Sequence, residues 1–293
     1  MKPQPRQPAL SQEVINLYDQ YTHQPLSRRD FVERLARLVG GVAAAYAVLP
    51  LLENNYAQAE QVAAGDSRLL AEDVRFGRRA DMLLNGYLVR PAAGGALPAV
   101  VLIHENRGLN PHIRDVARRL ALAGYWVLAP DYLSPLGGTP ADEDKARELF
   151  GKLDAAMTAD VSQLALLYLQ AKGNGKVGAV GFCWGGGQVG QLAVQQPALR
   201  AGVIYYGSHP AAAEVGRIQA PLLLHHAGLD ERINAGIPAF EAAMQAAGKR
   251  YTLYLYPGVN HAFNNDTNTA RYDQGAANLA WQRTLDFLQQ QLS

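Results

Sequence analysis

The sequence predicts an α/β fold, a mainly parallel central sheet with helices on both faces. Short apolar runs such as PAVVLIHE (98–105) and KVGAVGF (176–182) read as strands buried on both faces. Amphipathic stretches follow these runs in regular alternation, the pattern that builds parallel strands through helical crossovers. The chain has 293 residues, 48% of them hydrophobic, which suffices for one large globular domain.

The elements follow in order. Residues 1–59 read as an export leader preceding a domain over 60–293. A twin-arginine stretch, SRRDFVE (27–33), precedes the apolar run Leu35–Leu52, which Arg37 interrupts. Ala57-Gln58-Ala59 then resembles a small-residue cleavage site. This pattern is similar to signals handled by the bacterial Tat machinery and implies a periplasmic protein. Two other readings fit the segment: an amphipathic helix packed on the domain, or an uncleaved anchor, although its apolar core is short for a span. DMLLNGYLVRP (81–91) is a strand ended by Pro91. After strand 98–105, Pro111 opens a helix that runs to Gly124. YWVLAPD (125–131) is a buried strand, and 141–153 and 160–173 are helices. KVGAVGF leads into a helix over 183–197. AGVIYYG (201–207), APLLLHHAG (220–228) and RYTLYLYPG (250–258) are strands. Residues 237–248 and 276–292 are helices.

In such sheets ligands bind at the carboxyl ends of strands. There the chain carries Gly181-Phe182-Cys183-Trp184-Gly185. This is the strand–turn–helix form G-x-S-x-G of the α/β-hydrolase fold, with cysteine in place of serine. Small residues on both sides relieve crowding at the corner. The helix N-terminus favours a thiolate, and the N–H of Trp184 faces a developing oxyanion. Cys183 is the only cysteine, so neither an internal disulfide nor a thiolate metal cluster is expected. A cysteine nucleophile needs an oriented base. Asp230 and His261 lie just past the strands 220–228 and 250–258, in the chain order nucleophile, acid, histidine. Among seven histidines, His261 alone has this position, and His23 falls inside the leader.

IHENRGLN (103–110), GFCWGGG (181–187), HAGLDERI (226–233) and YPGVNHAFNND (256–266) resemble the motifs of the dienelactone hydrolase family, from about Asp81 to the C-terminus. The resemblance implies an α/β-hydrolase fold and a Cys183–His261–Asp230 triad. It also implies that Glu105 sits against the resting thiol until substrate moves it, and that the N–H of Asn106 is a second oxyanion donor beside Trp184. Tyr132, Tyr205 and Arg107 are expected at the pocket wall. One position departs from the family's carboxylate-binding arginines: Asn265 stands four residues after the histidine. Arg271 lies further on without an assigned place. The expected activity is hydrolysis of a small ester or lactone, with no metal or organic cofactor. A broad carboxylesterase and a non-catalytic thiol sensor are the alternatives. With 27 basic against 26 acidic residues, nothing marks a nucleic-acid surface.

Overall fold

A computed structural model describes residues 10–293. The N-terminal arm comprises α1 (Gln12–His23), α2 (Arg28–Val39), α3 (Val42–Leu52) and α4 (Tyr56–Ala59). Then come β1 (Leu69–Arg79), β2 (Met82–Pro91), β3 (Ala99–Ile103), α5 (Pro111–Leu122), β4 (Trp126–Pro130), α6 (Glu143–Phe150) and α7 (Ala155–Lys172). They are followed by β5 (Val177–Phe182), α8 (Trp184–Gln195), β6 (Ala201–Tyr205), β7 (Leu222–Ala227), α9 (Glu231–Asn234), α10 (Ile237–Ala246), β8 (Tyr251–Tyr256) and α11 (Gln274–Leu292).

The strands form one sheet in the order β1-β2-β4-β3-β5-β6-β7-β8. The pairs β1–β2 and β2–β4 are antiparallel and the other five are parallel, so the sheet is mainly parallel, as the alternation of strands and helices predicted. Alternate strand residues divide the core in two. Val100, Leu102, Val180 and Phe182 face α5 and α11, whereas Val101, Ile103, Ala179 and Ile204 face α7, α8 and α10. The period of two along each strand forces this division. Strand β1 had no counterpart in the sequence reading. Its segment LLAEDVRFGRR is charged and mostly exposed, as suits an edge strand that must resist pairing with another chain.

The first nine residues of the stretch read as a leader lie outside the described residues. From Gln12 onward that stretch is helical and packs on the domain. Val14, Leu17, Tyr18, Tyr21, Phe31, Leu35, Leu49 and Leu52 form a small core of their own. The backbone N–H of Asn55 donates to the Thr267 carbonyl at 2.8 Å, and the Asn268 amide donates to the Leu52 carbonyl. The apolar run 35–52 is not one rod: α2 and α3 meet at 109°, and among the described residues no single helix is long and apolar enough to cross a membrane. Gly40 (φ 88°) and Gly41 (φ 140°) make the corner, because other residues rarely adopt such angles. Of the paired arginines, Arg28 bridges Glu53 and Asp144, both at 2.9 Å, and Arg29 reaches Glu33.

Candidate active site

Strand β5 runs straight into α8, and the corner residue is Cys183, at φ 56° and ψ −117°. This is a sparsely populated backbone region for a residue with a side chain, and the surroundings hold it there. Its N–H donates to the Tyr205 carbonyl at 2.9 Å, and its own carbonyl accepts from Gly186 and Gly187 in the first turn of α8. Gly181 faces the backbone of Gly185, which in turn lies against the carbonyls of Ile103 and His104. A Cβ on either would enter backbone atoms. The two glycines flanking the cysteine thus let α8 approach β5 and β3 closely enough to hold the thiol above the sheet.

The ends of β7 and β8 deliver the other two groups. Asp230 caps α9, its Oδ1 accepting from the Ile233 N–H at 3.2 Å. That bond fixes the carboxylate, whose Oδ2 lies 2.5 Å from His261 Nδ1. The Nδ1 hydrogen therefore points at Asp230, leaving Nε2 to face the nucleophile. Nε2 is buried and has no hydrogen-bond partner among the described residues. Burial alone would lower the His261 pKa. The negative charge of a Cys183 thiolate and the bond to Asp230 outweigh it and raise the group to about 9. Burial would raise the Asp230 carboxyl, but its hydrogen bond from His261 holds it below its ordinary value.

The remaining histidines sort by their partners. His104 is held between the Glu105 carbonyl and the Tyr132 N–H. His112 faces Asp266, His209 pairs with His226, and His225 bonds Tyr256 and Thr284. Burial depresses His225 and His226 to about 3, which keeps both neutral. His23, however, is at the thiol: its Nε2 lies 3.2 Å from Cys183 Sγ. Among the described residues, His23, Cys183 and His261 are also the group whose metal-ligating atoms converge, within 4.8 Å of one another.

The dienelactone hydrolase family profile matches residues 84–292. The chain belongs to the dienelactone hydrolase family. A relative in Methylorubrum extorquens described as "Putative carboxymethylenebutenolidase" is 31% identical over 78% of this chain and 84% of its own. An Escherichia coli protein described as "Putative hydrolase fragment YghX" is 51% identical over 38% of this chain and 96% of its own. The crystal structure described as a putative dienelactone hydrolase from Klebsiella pneumoniae superposes with a TM-score of 0.69 at 29% identity. It covers 76% of this chain and 99% of that one. A second profile, YqhI-like, matches residues 1–41.

Glu105 is buried just past the end of β3. It borders the same small cavity as Cys183, yet its hydrogen bonds go elsewhere. Oε2 accepts from the Asn265 amide at 2.9 Å, and Oε1 from the Tyr206 hydroxyl at 3.5 Å. Asn265 itself is fully buried, its Oδ1 taken by the N–H and hydroxyl of Thr267. Asn265, four residues after His261, is thus a holder of Glu105.

Trp184 is the first residue of α8, so its N–H has no partner within the helix. The N–H of Asn106 donates to no backbone carbonyl among the described residues, whereas its side-chain amide donates to the Thr22 carbonyl at 2.7 Å. A cavity of about 670 Å³ opens over the thiol. Its walls include Trp184, Phe150, Tyr206, Arg147 and, from the arm, His23 and Leu26. Two residues expected at the wall lie in the core instead. Tyr132 bonds Ser162 beneath Trp184, and Tyr205 bonds Thr284. Strand-end alternation explains the miss: Tyr206, one residue on, has φ 37° and turns toward the thiol, and periodicity does not reveal that twist. Arg107 borders the small cavity beside Glu105 but is tied to Glu143 and its carbonyl. Arg271, left unplaced by the sequence, borders that same cavity.

Proposed function

We propose that Cys183, His261 and Asp230 hydrolyse a small ester or lactone through a thioester on Cys183. The observation that carries this reading is the convergence of a carboxylate-oriented imidazole and a strained strand–helix cysteine at the mouth of one cavity. The thiolate attacks the carbonyl carbon, and the N–H groups of Trp184 and Asn106 receive the oxyanion. His261 gives its proton to the departing oxygen. It then takes one from the water that cleaves the thioester, returning the thiol and releasing the acid.

An amide at position 265 in place of a cation supports a substrate without a carboxylate at that point. The test is a panel of p-nitrophenyl acetate, a neutral enol lactone and the carboxylate-bearing dienelactone, assayed with wild-type and Cys183→Ala enzyme. We expect the neutral compounds to be turned over at least about tenfold faster than dienelactone. A preference for dienelactone would overturn the neutral-substrate reading. Wild-type rates equal to Cys183→Ala across the panel would overturn the hydrolase mechanism.

The raised pKa of His261 sets an alkaline limb. The imidazolium is the acid for the leaving group, so kcat/KM is expected to fall as pH rises through about 9. Asp230→Asn removes one of the supports that raise it, so the limb should move to lower pH. A limb unmoved by that substitution would show that a group other than His261 titrates.

A further inference from the structure

The arm brings a second carboxylate–imidazole pair to the same sulfur. His23 Nδ1 lies 3.1 Å from Asp19 Oδ1 and 2.9 Å from the Asp19 carbonyl oxygen, both acceptors. The Nδ1 hydrogen therefore goes to the Asp19 carbonyl oxygen with the carboxylate alongside it, and the Nε2 lone pair points at Cys183 Sγ, 3.2 Å away. The His23 ring meets the His261 ring edge-on at 4.6 Å, so the thiol lies beside two imidazoles, each backed by an aspartate. Asp19 is kept charged. Burial would raise its pKa, but the contact with the His23 imidazole and the positive charges of His261 and Arg271 hold it far below the carboxylate range.

The arm that carries this pair is fixed to the loop after β3 and to α6 at several points. The Asn106 amide donates to the Thr22 carbonyl, and Arg147 donates to the Tyr21 carbonyl. The Tyr21 hydroxyl donates to Asp144 at 2.5 Å. Arg232 and Arg271 each stand 3.8 Å from Asp19. Because the Klebsiella structure is almost wholly covered by three quarters of this chain, about a quarter of this chain has no counterpart there. The YqhI-like match spans both Asp19 and His23.

We propose that Asp19 and His23 act with the hydrolase core as a second base for Cys183, so that the N-terminal arm completes the active site. The thiol's S–H bond breaks and an Nε2–H bond forms on His23. The electron pair stays on sulfur, and Asp19 stabilises the imidazolium. On this route His23, in place of His261, gives that same proton to the leaving oxygen when the tetrahedral intermediate collapses, and returns neutral. His23 touches the reacting atom and is a catalytic residue in this scheme, and Asp19 positions it. The proposal rests on the reading of Cys183 as the nucleophile.

The other titratable or charged groups that face the thiol are His261 after β8, Glu105 after β3, Tyr206 after β6, and Arg271 and Arg107 across the small cavity. The test must therefore isolate His23. The rate of Cys183 alkylation by iodoacetamide is measured against pH by intact mass, in the full chain. The forms compared are wild type, His261→Gln, His23→Gln and the double variant. Access to the thiol changes the plateau rate, whereas a base changes the midpoint. In the His261→Gln background, adding His23→Gln is expected to raise the midpoint by about one pH unit or more. An unchanged midpoint between His261→Gln and the double variant would overturn the proposal. If the double variant does not fold, Asp19→Asn in the His261→Gln background keeps the His23 ring in place and must raise the midpoint in the same direction. No rise there would also overturn it. Alkylation needs no ester substrate, so a His23-dependent midpoint without turnover would discard the hydrolase reading and keep the second base. Turnover without that dependence would do the reverse.

Discussion

Cys183→Ser is expected to lower kcat/KM on the best ester by at least about 10³-fold, and Cys183→Ala to lower it further. The reason is chemical and geometric. A serine hydroxyl holds its proton far more tightly than a thiol, and the oxygen sits on a shorter bond at a corner whose backbone is fixed at φ 56°. His261 and Asp230 remain in both variants, as do the two N–H groups above the cavity, so a residue of catalysis from binding and oxyanion stabilisation is expected to persist. Initial rates, taken after a thiol-blocking reagent has removed any wild-type carry-over, make the comparison. A serine or alanine enzyme within tenfold of wild type would mean that the thiol is not the nucleophile.

Gly185→Ala is expected to destabilise the fold by about 3 kcal/mol or more and to abolish activity. Within a helix, alanine in place of glycine is normally a gain of about 1 kcal/mol. Here the added methyl group would enter the carbonyl groups of Ile103 and His104, which belong to backbone at the end of β3 and have no rotamer to change. Relief requires the N-terminus of α8 to move off β3. That movement separates Trp184 from Asn106 and carries Cys183 away from His261. Gly216→Ala is the control, since nothing lies within 4 Å of a Cβ there. Urea unfolding midpoints should drop for Gly185→Ala and stay nearly unchanged for the control. Equal midpoints would remove the close approach of α8 as the reason for glycine at that position.

Much of the sheet was legible because its inner strands are buried on both faces and so are apolar throughout. Strands β2 through β8 all fall where such runs or alternations predicted them. Strand β1 escaped because an edge strand in water carries charges, and its string of Glu, Asp and Arg looks like a loop. The arm was open to more than one reading, an export leader or a helix packed on the domain, for a different reason. Its apolar faces are directed at one another and at the domain, and a folded helical arm and an export signal share one composition. The Gly40–Gly41 corner was present in the sequence, but only the 109° angle between α2 and α3 shows that the apolar run is bent back on itself.

The sequence alone determined the α/β class, the strand–cysteine–helix corner, and the order Cys183, Asp230, His261. These are local or ordinal properties, written in periodicity, in glycine placement and in the ends of strands. Only the tertiary structure decided what surrounds the sulfur. His23 lies 160 residues from Cys183 along the chain and 3.2 Å from it in space, and Asn265 reaches Glu105 over the same separation. A contact of that kind depends on how the arm docks on the finished sheet, through side chains from many separate segments at once. No spacing within the chain encodes it, because each partner is chosen by the shape of the assembled surface.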